Sequence, residues 1–252
     1  MIWHESSGPD VAEFSKHCDT ALLPVGCIEM HGPQNPTGCD AFIADRICRL
    51  ASEIEECIVL PPIFLNVNDR MKCYPGTISI PPRVVMDMYR AIFTECARNG
   101  FTRIVVFVAH GGSETPVETL QGEIFEEETA GRPVGYQVFR VDSWFLPRLE
   151  EPEETRKLMG GHGGADETSE VWDAAPGLLD ISRVAGQQGP YFPPAARPAH
   201  YRVGWIRSVP KGFTGRPELA SRERGERLNR WHAQKLAEII KRVKAWKAET
   251  DP

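Results

Sequence analysis

The sequence predicts an α/β protein: one three-layer domain spanning residues 1–252, with a mostly parallel sheet covered by helices on both faces. Two observations predict it. Apolar runs of strand length alternate with amphipathic stripes of helix length, the order that builds parallel sheets. The run Ile104-Val105-Val106-Phe107-Val108 is also continuously β-branched or aromatic, as expected of a strand buried on both faces.

Thr20 to Val25 is a short apolar run closed by Gly26, and it reads as the first strand. Asp40 precedes Ile43, Ile47, Leu50 and Ile54, a stripe at helical spacing whose apolar face must cover a sheet. Cys57 to Leu60 reads as a second strand, stopped by Pro61-Pro62, and residues 63–80 read as irregular. Pro81-Pro82 opens a helix carrying Val85, Met88, Ile92 and Cys96, which Asn99-Gly100 closes. After the strand within 101–109, a helix is expected to start near Pro116, and a strand runs from Val134 to Val141. Glu150 to Lys157 reads as a surface helix and Ala165 to Ala175 as another, with the glycine-rich Gly160-Gly161-His162-Gly163-Gly164 between them. Residues 186–216 read as long loops, and Pro217 to Trp246 as one long helix. Neither a repeat nor a linker divides the chain.

Composition excludes several function classes. Of 252 residues, 41% are hydrophobic and 25% charged, ordinary for a globular protein. A net charge of -6 without a basic run argues against a nucleic-acid surface. No stretch approaches the roughly 18 apolar residues of a membrane span. The start Met1-Ile2-Trp3-His4-Glu5 lacks the pattern of a signal peptide. Seven cysteines, none in a C-x-x-C pair, favour reduced thiols and a cytoplasmic protein.

Three good metal ligands, Glu29, His31 and Asp40, lie within twelve residues, just after the first strand. Residues two apart on a strand share a face. Glu29 and His31 therefore reach one point if strand geometry persists to His31, and Asp40 can swing back to it. Ligands of open α/β sheets bind beyond the carboxyl ends of the strands. His110 follows the strand at 104–108, and Asp142 and Trp144 follow the strand at 134–141, so in a parallel sheet all emerge on one edge.

The segment LPVGCIEMHGPQNPTGCD resembles the first signature of the creatininase family of metal-dependent amidohydrolases, roughly L-P-x-G-S-x-E-x-H-G-P-H-L-P-x-x-T-D. Tyr74-Pro75-Gly76-Thr77-Ile78-Ser79, His110-Gly111-Gly112 and His162-Gly163-Gly164-Ala165-Asp166-Glu167-Thr168-Ser169 resemble three later stretches. Gly215-Arg216-Pro217 with Ala220 to Gly225 is a weaker fifth match. Each is weak alone; the ordered set, over about residues 20–228, is specific.

The resemblance implies five ligands: Glu29, His31, Asp40 as a bridge, His110 and Glu167. Carboxylates and imidazoles suit a divalent ion such as Zn, Mn or Fe. Five exceed what one catalytic zinc usually takes and suit two ions sharing a carboxylate. A hydroxide held between two such ions attacks an amide carbon, and His162 is the candidate for the proton the leaving nitrogen needs, as the matching family histidine would be. Walls of a substrate pocket are expected from Tyr74, Gly76, Thr77, Gly111, Gly112 and Trp144. The resemblance also implies a small-molecule substrate and a homo-oligomer, a hexamer. Each residue also has a plainer reading: Asp40 as an N-cap, His110 as a hydrogen-bonded core histidine, Glu167 as a helix N-terminal acid, Trp144 as core.

Some positions depart from the family's pattern. Val108 and Ser113 stand where asparagines often flank the His-Gly-Gly turn, and Met71 where a histidine often precedes the Tyr-Pro-Gly-Thr turn. Gly112 stands where creatinine-hydrolysing members carry a metal-ligating glutamate, so Glu167 must supply that ligand. The expectation is a hydrolase cleaving a C–N bond in a small polar amide, cyclic or formyl and not a peptide, with creatinine a poor substrate. The alternatives are opening of a cyclic ketone or lactone, and a non-catalytic metal-containing binding protein.

Overall fold

The computed structural model describes residues 1–146, 149–184, 206 and 209–246. Four strands, β1 (Thr20–Val25), β2 (Ile58–Val59), β3 (Arg103–Val108) and β4 (Gln137–Asp142), form one sheet in the order β2-β1-β3-β4. Every pairing is parallel. Val25 pairs with Val108 and Val108 with Asp142, so β1, β3 and β4 end in one row. The segments that follow them open on one edge.

Alternation along the strands divides the core in two. Ala21, Leu23, Val25, Ile104, Val106 and Val108 pack with Phe14 of α1 (Gly8–Phe14), Phe93 of α3 (Pro82–Arg98) and Leu120 of α4 (Glu114–Thr129). Leu22, Val105 and Phe107 face the other way. They pack with Ile47 of α2 (Cys39–Ile54), Val171 of α6 (Ala165–Ala174) and Leu236 of α7 (Arg222–Ala245). Two apolar layers on one sheet make the three-layer arrangement the alternation predicts.

The differences from expectation have local causes. Regular pairing of β2 is confined to Ile58–Val59, although the Leu60 N–H still donates to Leu22 O at 2.9 Å before the prolines stop it. Its free edge is covered by Met1-Ile2, whose carbonyl at Met1 accepts the Val59 N–H at 2.8 Å. Helix α1 shows no stripe because it has seven residues; Ser7 caps it by accepting the Asp10 N–H. Helix α4 begins at Glu114, since Pro116 is tolerated in a first turn. Helix α5 is Glu153–Met159. The expected helix 217–246 is a 3₁₀ turn, Pro217–Leu219, followed by α7, which Ser221 caps at the Arg224 N–H. Most of the 186–216 loop expectation lies outside the described residues. Among those described, no helix is long and apolar enough to cross a membrane. All seven cysteines are free thiols, and only Cys73 is exposed.

Candidate metal centre

Two close backbone approaches bring the motif residues together. A Cβ on Gly26 would lie 2.2 Å from Ala41 N. Only glycine lets the turn after β1 run against the start of α2, and this sets the segment carrying Glu29 beside Asp40. A Cβ on Gly112 would lie 2.4 Å from Val67 O and 2.5 Å from His110 Nε2. Its absence makes room for the hydrogen bond that fixes the His110 ring. Asp40 is not the helix cap: Gly38 holds that position and Asp40 sits in the first turn of α2.

The side chains then converge. Asp40 Oδ1 is 2.9 Å from His31 Nε2, and its other oxygen, Oδ2, is 3.1 Å from His110 Nδ1. Glu29 Oε2 lies 3.5 Å from His31 Nε2 and 3.3 Å from His110 Nδ1. Glu167 Oε2 lies 3.8 Å from His31 Nε2. Backbone carbonyls fix both rings, because a carbonyl only accepts. His31 donates from Nδ1 to Glu29 O at 3.2 Å, and His110 donates from Nε2 to Val67 O at 2.9 Å. Each ring therefore turns its other nitrogen toward the carboxylates, the arrangement seen in metal-ligating histidines.

Glu29, His31, Asp40 and His110 are all buried. Burial would depress the His110 imidazole, but hydrogen bonds to Asp40 and Glu29 hold it up at about 10. His31 is likewise raised against its burial, chiefly by Asp40. Burial would raise Asp40 and Glu29, yet the two imidazoles hold both below the usual carboxylate range. Dehydration pushes Glu167 up to about 7. Opposed shifts in one cluster make it a candidate functional site. Among the described residues, three groups come close enough to hold an ion, their donor atoms within 4.8 Å of one another: Cys27, Glu29, Asp40 and His110; Glu29, His31 and His162; His31, Cys39 and Asp40.

His162 donates from Nε2 to Met30 O at 2.8 Å, and its ring lies 4.1 Å from that of His31. Burial, then the charge of His31, lowers it to about 4. Its loop is held at several points. Gly163 N–H donates to Glu167 at 2.6 Å, Thr214 N–H donates to His162 O at 2.7 Å, and the Gln34 side chain donates to Gly163 O at 2.9 Å. Asn35 joins His31 O to the Thr168 hydroxyl, tying the first motif to α6.

A cavity of about 380 Å³ opens beside Asp40 and Glu167. Trp144, Arg156, Glu170, Arg224 and His232 are in its wall. Arg224 is gripped by both oxygens of Glu151 at 2.9 Å and by Asp166, and His232 meets Glu170 at 2.9 Å. Of the expected pocket residues, Trp144 is in this wall. Thr77 accepts the Met30 N–H at 3.1 Å, and Tyr74 donates to Val209 O at 2.5 Å, so both brace the backbone around the cluster. Gly76 packs near Thr37, Gly111 has open space at its Cα, and Gly112 packs behind His110. Met71 is buried and outside this wall; Asp142 pairs with Arg140 at 3.2 Å. Sequence reasoning missed Cys27, although it lies two residues before Glu29, the spacing that singled out Glu29 and His31.

The family model described as creatinine amidohydrolase matches residues 4–240. Among curated relatives, the creatinine amidohydrolase of Pseudomonas putida is 27% identical over 234 residues, 87% of this chain and 88% of its own. The mycofactocin precursor peptide peptidase of Mycolicibacterium smegmatis is 25% identical over 236 residues, 90% of this chain and 85% of its own. A crystal structure of creatinine amidohydrolase superposes with a TM-score of 0.82 at 23% identity, covering 96% of each chain.

Proposed function

The chain belongs to the creatininase family, and on that premise we propose that it is a metal-dependent hydrolase of a C–N bond in a small polar amide, cyclic or formyl. The observation that carries this reading is the Asp40 carboxylate, which gives one oxygen to each of two oriented imidazoles. That donor set would hold two divalent ions, Asp40 serving both, Glu29 and His110 the first, and His31 and Glu167 the second. Solved creatininases include a zinc–zinc form and a manganese form, and the same ions suit these ligands. Such ions supply a Lewis acid for the carbonyl oxygen and an activated water.

The protein's own residues do the rest. Trp144 and the charged wall orient a substrate in a cavity whose volume fits a small molecule. His162, committed through Nε2 to Met30 O, exchanges protons through Nδ1 and returns one to the leaving nitrogen. Its lowered pKa keeps the ring neutral at neutral pH.

The peptidase relative supports a second reading, cleavage of a peptide C–N bond. Metal analysis followed by steady-state kinetics on formamides, lactams, short peptides and creatinine separates the readings. We expect a formamide or lactam to be the best substrate and creatinine a poor one. A short peptide as the best substrate would move the protein to the second reading. A kcat/KM for creatinine equal to the best of the panel would overturn the substrate choice, and absence of any bound transition metal after reconstitution would overturn the hydrolase.

A further inference from the structure

Cys27 is fully buried, and its sulfur lies close enough to Glu29, Asp40 and His110 donor atoms for the four to surround one ion. Its Sγ lies 3.3 Å from Asp40 Oδ2 and 3.8 Å from Glu29 Oε2. His110 Nδ1 lies 3.3 Å from the same Glu29 oxygen and 3.1 Å from the same Asp40 oxygen. Four donors arranged tetrahedrally about one ion, with bonds of roughly 2.0–2.3 Å, stand roughly 3.3–3.6 Å apart along each edge. The four separations cluster around that range. The sulfur also accepts a hydrogen bond from Asn68 Nδ2 at 3.5 Å, the kind of outer contact that orients a ligand and supports a thiolate.

We infer that Cys27 is a fourth protein ligand, closing the Glu29–His110 half of the centre as a four-donor site. The inference rests on the metal-centre reading above and deepens it. As the ion enters, the thiol proton leaves to solvent and a sulfur–metal bond forms. A site with four protein ligands has no place for substrate, the property of structural sites. The His31 half offers Nε2 of that ring, Asp40 Oδ1 and Glu167, and it keeps a position open toward the cavity. The two ions are therefore unequal: one is held tightly and selected by a soft ligand that favours zinc over manganese, and the other works on the substrate.

Cobalt(II) reports on this directly, because a thiolate ligand gives it a near-ultraviolet charge-transfer band that oxygen and nitrogen ligands do not. Metal-free protein titrated with Co(II) should develop the band over the first equivalent. Cys27→Ser should lose the band and bind that first ion at least about 10–100-fold more weakly, the scale at which even outer-sphere partners act. Cys39→Ser should keep it. Two bound cobalt ions without a band, or a band that survives Cys27→Ser and disappears in Cys39→Ser, would overturn the assignment. No cobalt binding by the unsubstituted protein would instead defeat the metal centre as a whole. Zinc-edge X-ray absorption on the unsubstituted protein needs no variant: one sulfur for every two zinc ions, at about 2.3 Å, is expected, and no sulfur scatterer refutes it.

Discussion

The two oxygens of Asp40 look into different surroundings. Oδ2 faces Glu29, His110 and Cys27, all delivered by segments that leave β1 and β3 and all nearly or fully sealed from solvent. Oδ1 faces His31 and, beyond it, Glu167, whose side chain is 36% exposed and borders the cavity. The first side is built by the sheet and the close-packed glycines; the second is completed by the His162 loop and the start of α6. The contrast separates holding from reacting. Rigid elements place the sealed groups, His31 among them, and on the second side the cavity edge carries Glu167.

The largest effect should come from the residue both sides share. Asp40→Ala should lose both ions and bring hydrolysis to background, measured by elemental analysis beside a rate assay. Removing one partner of a buried charged cluster costs about 3–5 kcal/mol, so Asp40→Asn, which keeps the volume and adds no cavity, is read beside it after its fold is checked by circular dichroism. Retention of one full equivalent of metal by a folded Asp40→Asn would show that the carboxylate does not bridge.

Next comes His162, on the loop that completes the second side. His162→Ala should keep its metal and lose about 10²–10⁴-fold in kcat, the usual scale for one acid–base group. Metal lost with per-site activity kept would make His162 a ligand instead.

The sealed side was the easier one to read from sequence. The continuous run Ile104 to Val108 and the alternation around it specified a parallel sheet, and the sheet forces Glu29 and His110 onto one edge, with His31 beside them. Glu167 and His162 carry no such periodic signal; glycine-rich loops leave none, and only motif order pointed to them. The pocket was least legible. Tyr74 and Thr77 brace backbone, while Glu170, Arg224 and His232 line the cavity from helices whose polar faces read as surface. Cys27 went unremarked because a lone cysteine just past an apolar strand reads as core.

A pH series sharpens the contrast by a smaller amount. His110 is held at about 10 and His31 is raised too, so their contribution to stability is complete below the unfolded value near 6.5 and lost as pH rises through the folded values. Metal-free protein should thus show a falling Tm between about pH 6.5 and 10. With both imidazoles ligating metal as neutral groups, as proposed, that decline should flatten in the metal-loaded protein. Near pH 7 metal binding should release about two protons from these rings and a third from Cys27, readable as a total by calorimetry in buffers of different ionisation enthalpy. Equal pH slopes with and without metal would mean the imidazoles do not hold the ions.

The smallest expected effect compares two adjacent glycines. Gly111 has nothing within 4 Å of where a Cβ would sit, whereas a Cβ on Gly112 would strike Val67 O at 2.4 Å and His110 Nε2 at 2.5 Å. Neither has the positive φ that would itself forbid a side chain. Gly111→Ala should therefore change stability by no more than about 0.5 kcal/mol, as an open surface position does. Gly112→Ala must push aside either a backbone carbonyl or the ring it holds, and overpacking of this kind costs about 1–3 kcal/mol. Its second consequence is specific. Displacing the His110 Nε2–Val67 O hydrogen bond frees the ring to turn, so the sealed side should lose metal affinity while the His31 side keeps its own. Denaturant titration gives the first quantity and competition with a chelator the second. Equal stability of the two variants would show that the loop at Val67 yields easily, and that His110 is aimed by its carboxylate partners rather than by the backbone behind it.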